Sequence, residues 1–148
     1  MTELKYEKYI VTDVKPDLQL PSFRVGSKGS PGGSPGIATR VVWLDGDVIP
    51  GAFYSECLWF WPGAASNHVR AEAHSHSFSE VLGFFGTNYD DPHDLCGEIE
   101  LWLEDEQYVM TKSFLAFTPA GMKHCPLIIR RVDRPIFHFG AGLSTKYE

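Results

Sequence analysis

Apolar residues in this chain fall in short runs that alternate with polar ones and stop at turn residues. The stretch 53–61 carries Tyr54, Leu58 and Phe60 at even positions and ends at Pro62-Gly63. The stretch 39–44 ends at Asp45-Gly46-Asp47. Further runs of this kind occupy 69–76, 80–85, 98–103, 108–112, 114–117, 124–132 and 135–139, with Asp105-Glu106 and Asp133-Arg134 as hairpin turns. Alternation with period two places every second side chain on one face, as a half-buried strand requires. No stretch after residue 40 sustains a helical period with caps. Many short strands at such spacing predict an all-β sandwich or barrel.

The segment 26–36, Gly-Ser-Lys-Gly-Ser-Pro-Gly-Gly-Ser-Pro-Gly, interrupts the pattern. Its glycines add freedom and its prolines block pairing, so it is expected to be a flexible loop, or a lid over a pocket. It lacks the Gly-Lys-Ser/Thr ending of a phosphate-binding loop. Residues 1–25 are expected to form an N-terminal arm, with 6–11 either an edge strand or a contact with a partner, and 37–148 the barrel.

Length and composition fit one domain: 148 residues, 43% hydrophobic and 22% charged. The net charge of -6, without a large Lys/Arg cluster, excludes a general nucleic-acid binder and argues against an anionic membrane surface. No apolar run is long enough for a spanning helix, and 1–10 has no signal-peptide core. Cys57, Cys96 and Cys125 are odd in number and share no motif spacing. A reducing, cytoplasmic setting is therefore expected.

The chemistry concentrates in 72–80, Glu-Ala-His-Ser-His-Ser-Phe-Ser-Glu. Side chains two apart on a strand share a face, so His74 and His76 can aim two imidazoles at one point. Glu80, past a turn, can bring a carboxylate there from the next strand. Two imidazoles and a carboxylate make a three-ligand face for a divalent metal and leave other positions open. In 113–124, Pro119 and Gly121 form a tight turn, after which His124 opens a new strand. Cys125, next in line, is expected to point the other way.

Together, His-x-His-x3-Glu and Pro-x-Gly-x2-His resemble the two motifs of the cupin superfamily. The resemblance covers about residues 40–140. Gly86 follows Glu80 after five residues rather than the six usual in cupins, no glycine stands six residues before His74, and Ser113 and Ile128 replace the second motif's first Gly and last Asn. The resemblance implies a single jelly-roll β-barrel, one divalent metal ion (Fe, Zn, Mn or Ni) on His74, His76, Glu80 and His124, and a homodimer. It also implies a small-molecule substrate. The chemistry is then a dioxygenase reaction or Lewis-acid isomerase, lyase or cyclase chemistry, with Glu80 and His138 as candidate catalytic residues. The alternatives are a non-catalytic binding or sensing module and a purely structural barrel. Several neighbours stay open on sequence alone. Arg70, if it shares a face with His68 and Glu72, either binds a substrate carboxylate or enolate or forms a salt bridge with Glu72. His138 points either to the metal or to the surface, and His93 lies in a polar connection expected to be solvated.

Overall fold

The computed structural model describes residues 4–27, 30–63 and 67–148. Ten strands form two antiparallel sheets among these residues: β1 (Gly33–Ser34), β2 (Ala38–Leu44), β3 (Tyr54–Phe60), β4 (His68–Ala71), β5 (Glu80–Phe85), β6 (Asp94–Leu103), β7 (Glu106–Lys112), β8 (Phe114–Thr118), β9 (His124–Val132) and β10 (Ile136–Gly142). One sheet runs β1-β2-β3-β10-β5-β8 and the other β4-β9-β6-β7. The all-β jelly-roll expectation holds. The sheets face each other as a sandwich and do not close into one continuous barrel.

Alternation decides what each strand buries. Along β3, Tyr54, Glu56, Leu58 and Phe60 turn inward and the residues between them are partly exposed. Phe60, Leu82 and Phe84 from the larger sheet meet Ile99, Leu127 and Ile129 from the smaller one in a single apolar core. Each such side chain contributes about 1.5–3 kcal/mol by leaving water. A second, smaller cluster of Leu18, Trp43, Tyr54 and Phe78 ties the segment before β1 to one end of the sandwich.

The motif glycines have local causes. A β-carbon on Gly86 would overlap the Asp94 carbonyl oxygen, so only glycine lets the chain leave β5 here. Gly121 sits at φ 84, in the left-handed region that suits glycine. Ser113, where the second cupin motif has glycine, is used as a tie: its hydroxyl accepts the Gly86 N–H at 3.0 Å and donates to the Pro92 carbonyl at 2.9 Å.

The Gly/Ser/Pro segment includes residues 28 and 29, outside the described residues. The rest of it carries β1, whose Gly33 and Ser34 pair with Thr39 and Ala38. In the N-terminal segment, residues 7–9 form a 3-10 turn whose side chains are exposed, while Phe23 and Arg24 fold back over the sandwich. No helix among the described residues is long and apolar enough to cross a membrane.

Candidate metal centre

Both sheets contribute to one site. His74 and His76 follow β4, Glu80 opens β5 and His124 opens β9. The Pro119–Gly121 turn is stitched to the His-x-His segment: Gly121 N–H donates to the His76 carbonyl at 2.8 Å, and Ala120 N–H donates to Ser79 Oγ at 3.2 Å. His74 and His124 then exchange backbone hydrogen bonds of 3.0 and 2.8 Å. The turn thereby fixes His124 opposite His74, across the gap between strands.

The ring orientations follow from one repeated device. His74 Nδ1 lies 2.6 Å from the Glu72 carbonyl, His76 Nδ1 2.5 Å from the Glu148 backbone oxygen, and His124 Nδ1 3.0 Å from the Met122 carbonyl. A carbonyl oxygen can only accept, so each Nδ1 carries the proton and each Nε2 keeps its lone pair. Those Nε2 atoms converge. His74 Nε2 is 3.0 Å from His76 Nε2, and Glu80 Oε1 is 3.6 Å from His76 Nε2 and 3.5 Å from His124 Nε2. Among the described residues, His124 Nε2 is buried with no hydrogen-bond partner. Burial pushes His74 down to about 3 and also lowers His76, so these two rings are neutral near pH 7 and keep their Nε2 lone pairs. Convergent nitrogen lone pairs beside a buried carboxylate are the donor set of a divalent cation, so these residues fit the metal that the motifs imply.

Cys125 differs from the expectation that it points away. Its thiol lies within 4.8 Å of ligand atoms of His74 and His124. The residue has φ 72, and the β6–β9 register slips between Leu101 and Leu103, so alternation fails at this point and both His124 and Cys125 are buried. Burial, with the Glu80 charge, pushes the thiol up to about 12.

The other candidates separate cleanly. His138 turns inward: Nδ1–H donates to the Gly83 carbonyl at 2.8 Å and the ring stacks on Phe84 with centroids 4.0 Å apart. Burial lowers it to about 4, so it is neutral near pH 7. Arg70 is buried, whereas Glu72 is exposed and makes no ion pair with it. The β4–β9 register shifts between Val69 and Ala71, which ends the common face assumed for His68, Arg70 and Glu72. His93 is exposed in its loop.

A cavity of about 30 Å³ adjoins the cluster, bounded by His74, Glu80, His124, His138, Arg24 and Arg70, among others. Phe23 stacks on His74 with centroids 3.6 Å apart, and the Tyr147 ring lies 5.1 Å from that of His76, so these two aromatics cover the imidazoles. Arg24, Glu56 and Tyr147 were not among the residues singled out by sequence. Glu56 carried a signal, since it shares parity with Tyr54, Leu58 and Phe60. Arg24 and Tyr147 lie outside the strands and carried none.

No family model and no curated protein matches the sequence. Solved structures do. A recombinant oxalate oxidase in complex with glycolate superposes with a TM-score of 0.51 at 12% identity, covering 86% of this chain and 60% of its own. An RmlC-like cupin from Shewanella frigidimarina gives 0.44 at 15% identity over 74% and 77% of the two chains, and KdgF from Halomonas sp. gives 0.43 at 15% over 82% and 86%. The strand order, the facing sheets and the oxalate oxidase superposition agree, and the chain has the fold of the cupin superfamily.

Proposed function

We propose that this protein is a metal-dependent enzyme that acts on a small organic molecule, with its metal on His74, His76, Glu80 and His124. The observation that carries this reading is the set of three imidazoles, each with Nδ1 at a backbone oxygen, in which His74 Nε2 meets His76 Nε2 and the Nε2 atoms of His76 and His124 face Glu80. A divalent ion held there supplies Lewis acidity toward a substrate oxygen or, if iron, a route to dioxygen. The chain's own residues do the rest. The backbone oxygens of Glu72, Met122 and Glu148 fix the ring tautomers. Phe23 and Tyr147 limit water above the imidazoles. Neutral His138, with Nδ1–H committed to Gly83, has Nε2 free to take a proton from a molecule in the cavity.

Elemental analysis of protein purified without a metal-binding tag at neutral pH tests the site. About one equivalent of a transition metal is expected, with turnover that chelator abolishes and metal restores. Iron with oxygen uptake selects an oxygenase, and zinc, manganese or nickel selects isomerase, lyase or cyclase chemistry. No metal, and none taken up from added ions, would sink the reading.

We also propose that the protein pairs as a homodimer through the outer face of the larger sheet. Cross-strand neighbours Trp59, Phe137, Phe85, Phe139, Leu115 and Phe117 share that face, and Leu115 and Phe117 are 63% and 59% exposed. An apolar face across four adjacent strands calls for a partner surface. Light scattering should give twice the chain mass, and Leu115→Glu with Phe117→Glu should give the monomer. A wild-type monomer at tens of micromolar, on the order of ordinary dimer affinities, counts against this interface.

A further inference from the structure

The cavity beside the His/Glu cluster meets an excess of buried positive charge. Arg24, Arg40 and Arg70 are only 7%, 3% and 3% exposed. Both oxygens of the carboxylate among them, Glu56, are already committed. Its Oε1 takes Arg24 Nη1 at 2.7 Å and the Tyr54 hydroxyl at 2.6 Å, and its Oε2 takes Arg40 Nε at 2.8 Å. Among the described residues, no carboxylate pairs with Arg70. Its guanidinium donates to Ser27 Oγ at 2.6 Å and to Ser34 Oγ at 3.4 Å, and lies 5.3 Å from the Phe60 ring centroid. Arg40 Nη2 donates to the same Ser27 oxygen at 3.1 Å, so two cations share one neutral hydroxyl. Burial, and then the Arg24 charge, lower Arg70 to about 9, and the more distant pull of Glu56 does not offset them.

A buried charge solvated only by hydroxyls is costly, and it persists where a ligand supplies the opposite charge. The planar guanidinium fork matches a carboxylate with two parallel hydrogen bonds. Arg70 lines the same cavity as His74, Glu80 and His124. At about 30 Å³ the cavity has room for roughly two water positions, which limits the occupant to a few heavy atoms.

We infer that the substrate is a small organic acid, held by its carboxylate on Arg70 and presenting a second oxygen to the His/Glu cluster. The part played by the second oxygen rests on the metal reading above; the carboxylate grip does not. Arg24 adds attraction but is already paired with Glu56, so Arg70 discriminates acid from uncharged analogue. Glu80, on the cluster side, repels a carboxylate and sets its orientation.

Thermal shift and calorimetry with acetate, glycolate and oxalate, and with acetamide and glycolamide as neutral counterparts, test the inference on wild type, Arg70→Met and Arg70→Lys. At least one acid should stabilise wild type, and the amides should not. Arg70→Met should melt at the same or a higher temperature without acid, since it removes an uncompensated charge, and should lose the acid response. Arg70→Lys should fold and bind the acid at least about fivefold more weakly, because the fork is gone. An acid response retained in full by either variant, or no response to any acid in wild type, would overturn the inference. So would a sharp loss of stability in acid-free Arg70→Met, which would make Arg70 a structural residue. Metal content is measured on the same samples. Normal metal without an Arg70-dependent acid response ends this inference alone, whereas Arg70-dependent acid binding in protein that takes up no metal ends the metal reading alone.

Discussion

Replacing Glu56 by glutamine should lower the melting temperature at neutral pH by about 10 °C. The carboxylate is 1% exposed and is the anion that pairs Arg24 at 2.7 Å and Arg40 at 2.8 Å. Glutamine keeps the shape but removes the charge, leaving two more guanidiniums buried without an opposite charge. Breaking a buried pair in this way costs about 3–5 kcal/mol, and a domain of this size loses roughly 2–4 °C per kcal/mol. The effect carries a pH signature. Burial alone would raise the Glu56 pKa, but Arg24 and Arg40 overcome it and hold the carboxyl well below its ordinary 4.5. A carboxyl depressed in the folded state contributes stability that is complete above its unfolded pKa and is lost as pH falls toward the folded one. The gap between wild type and Glu56→Gln should therefore be constant from neutral pH to about 5, then shrink by about 1.4 kcal/mol per pH unit below about 4.5. Melting curves across pH 3–8 check both halves. A gap of under about 1 kcal/mol at pH 7, or one as wide at pH 3 as at pH 7, would mean that the arginines are compensated elsewhere.

Much of this architecture was legible in the sequence because alternation is a local signal. Tyr54 to Phe60 shows one face apolar, and His74, His76 and Phe78 keep the parity that brings two imidazoles inward. Three features escaped, each for a physical reason. In β10, both parities are apolar: Ile136 faces the core, while Phe137 and Phe139 lie on the outer face. Pattern alone therefore could not orient His138, and its side was set by pairing with β3 and β5. At Cys125, a left-handed φ and a register slip break the alternation from which its direction had been read. Arg24 and Tyr147 reach the cavity from irregular segments, where no periodicity constrains a side chain. The motif residues were visible because their spacing is local. The arginine cluster was not, because Arg24, Arg40, Glu56 and Arg70 meet only through tertiary packing, even though the parity of Glu56 marked it as buried.

Replacing His124 by alanine should remove metal binding while the sandwich stays folded, and among the four ligand positions this one separates the two outcomes best. Among the described residues His124 Nε2, like His68 Nε2, is buried without a hydrogen-bond partner, so its lone pair contributes nothing to the fold. Its backbone does contribute, since its N–H and carbonyl both pair with His74, and alanine keeps both bonds. The imidazole also belongs to both groups of potential ligands, one with His76 and Glu80 and the other with His74 and Cys125. Its loss therefore leaves neither group with three donors. Losing a partner outside the ligand shell already weakens metal binding by about 10–100-fold, so losing a ligand should exceed ~100-fold. Elemental analysis should then find metal well below one equivalent, with circular dichroism unchanged. The metal-free forms of wild type and variant should melt close together, because the deleted ring leaves a small polar hole beside the existing cavity that water can fill. Should His124→Ala retain a full equivalent of metal, the ion lies elsewhere and the donor set assigned here is wrong. If instead the variant unfolds, the ring holds the two sheets together, and the weight shifts to His76→Ala, whose side chain lies in the same cluster but whose backbone does not pair with His124.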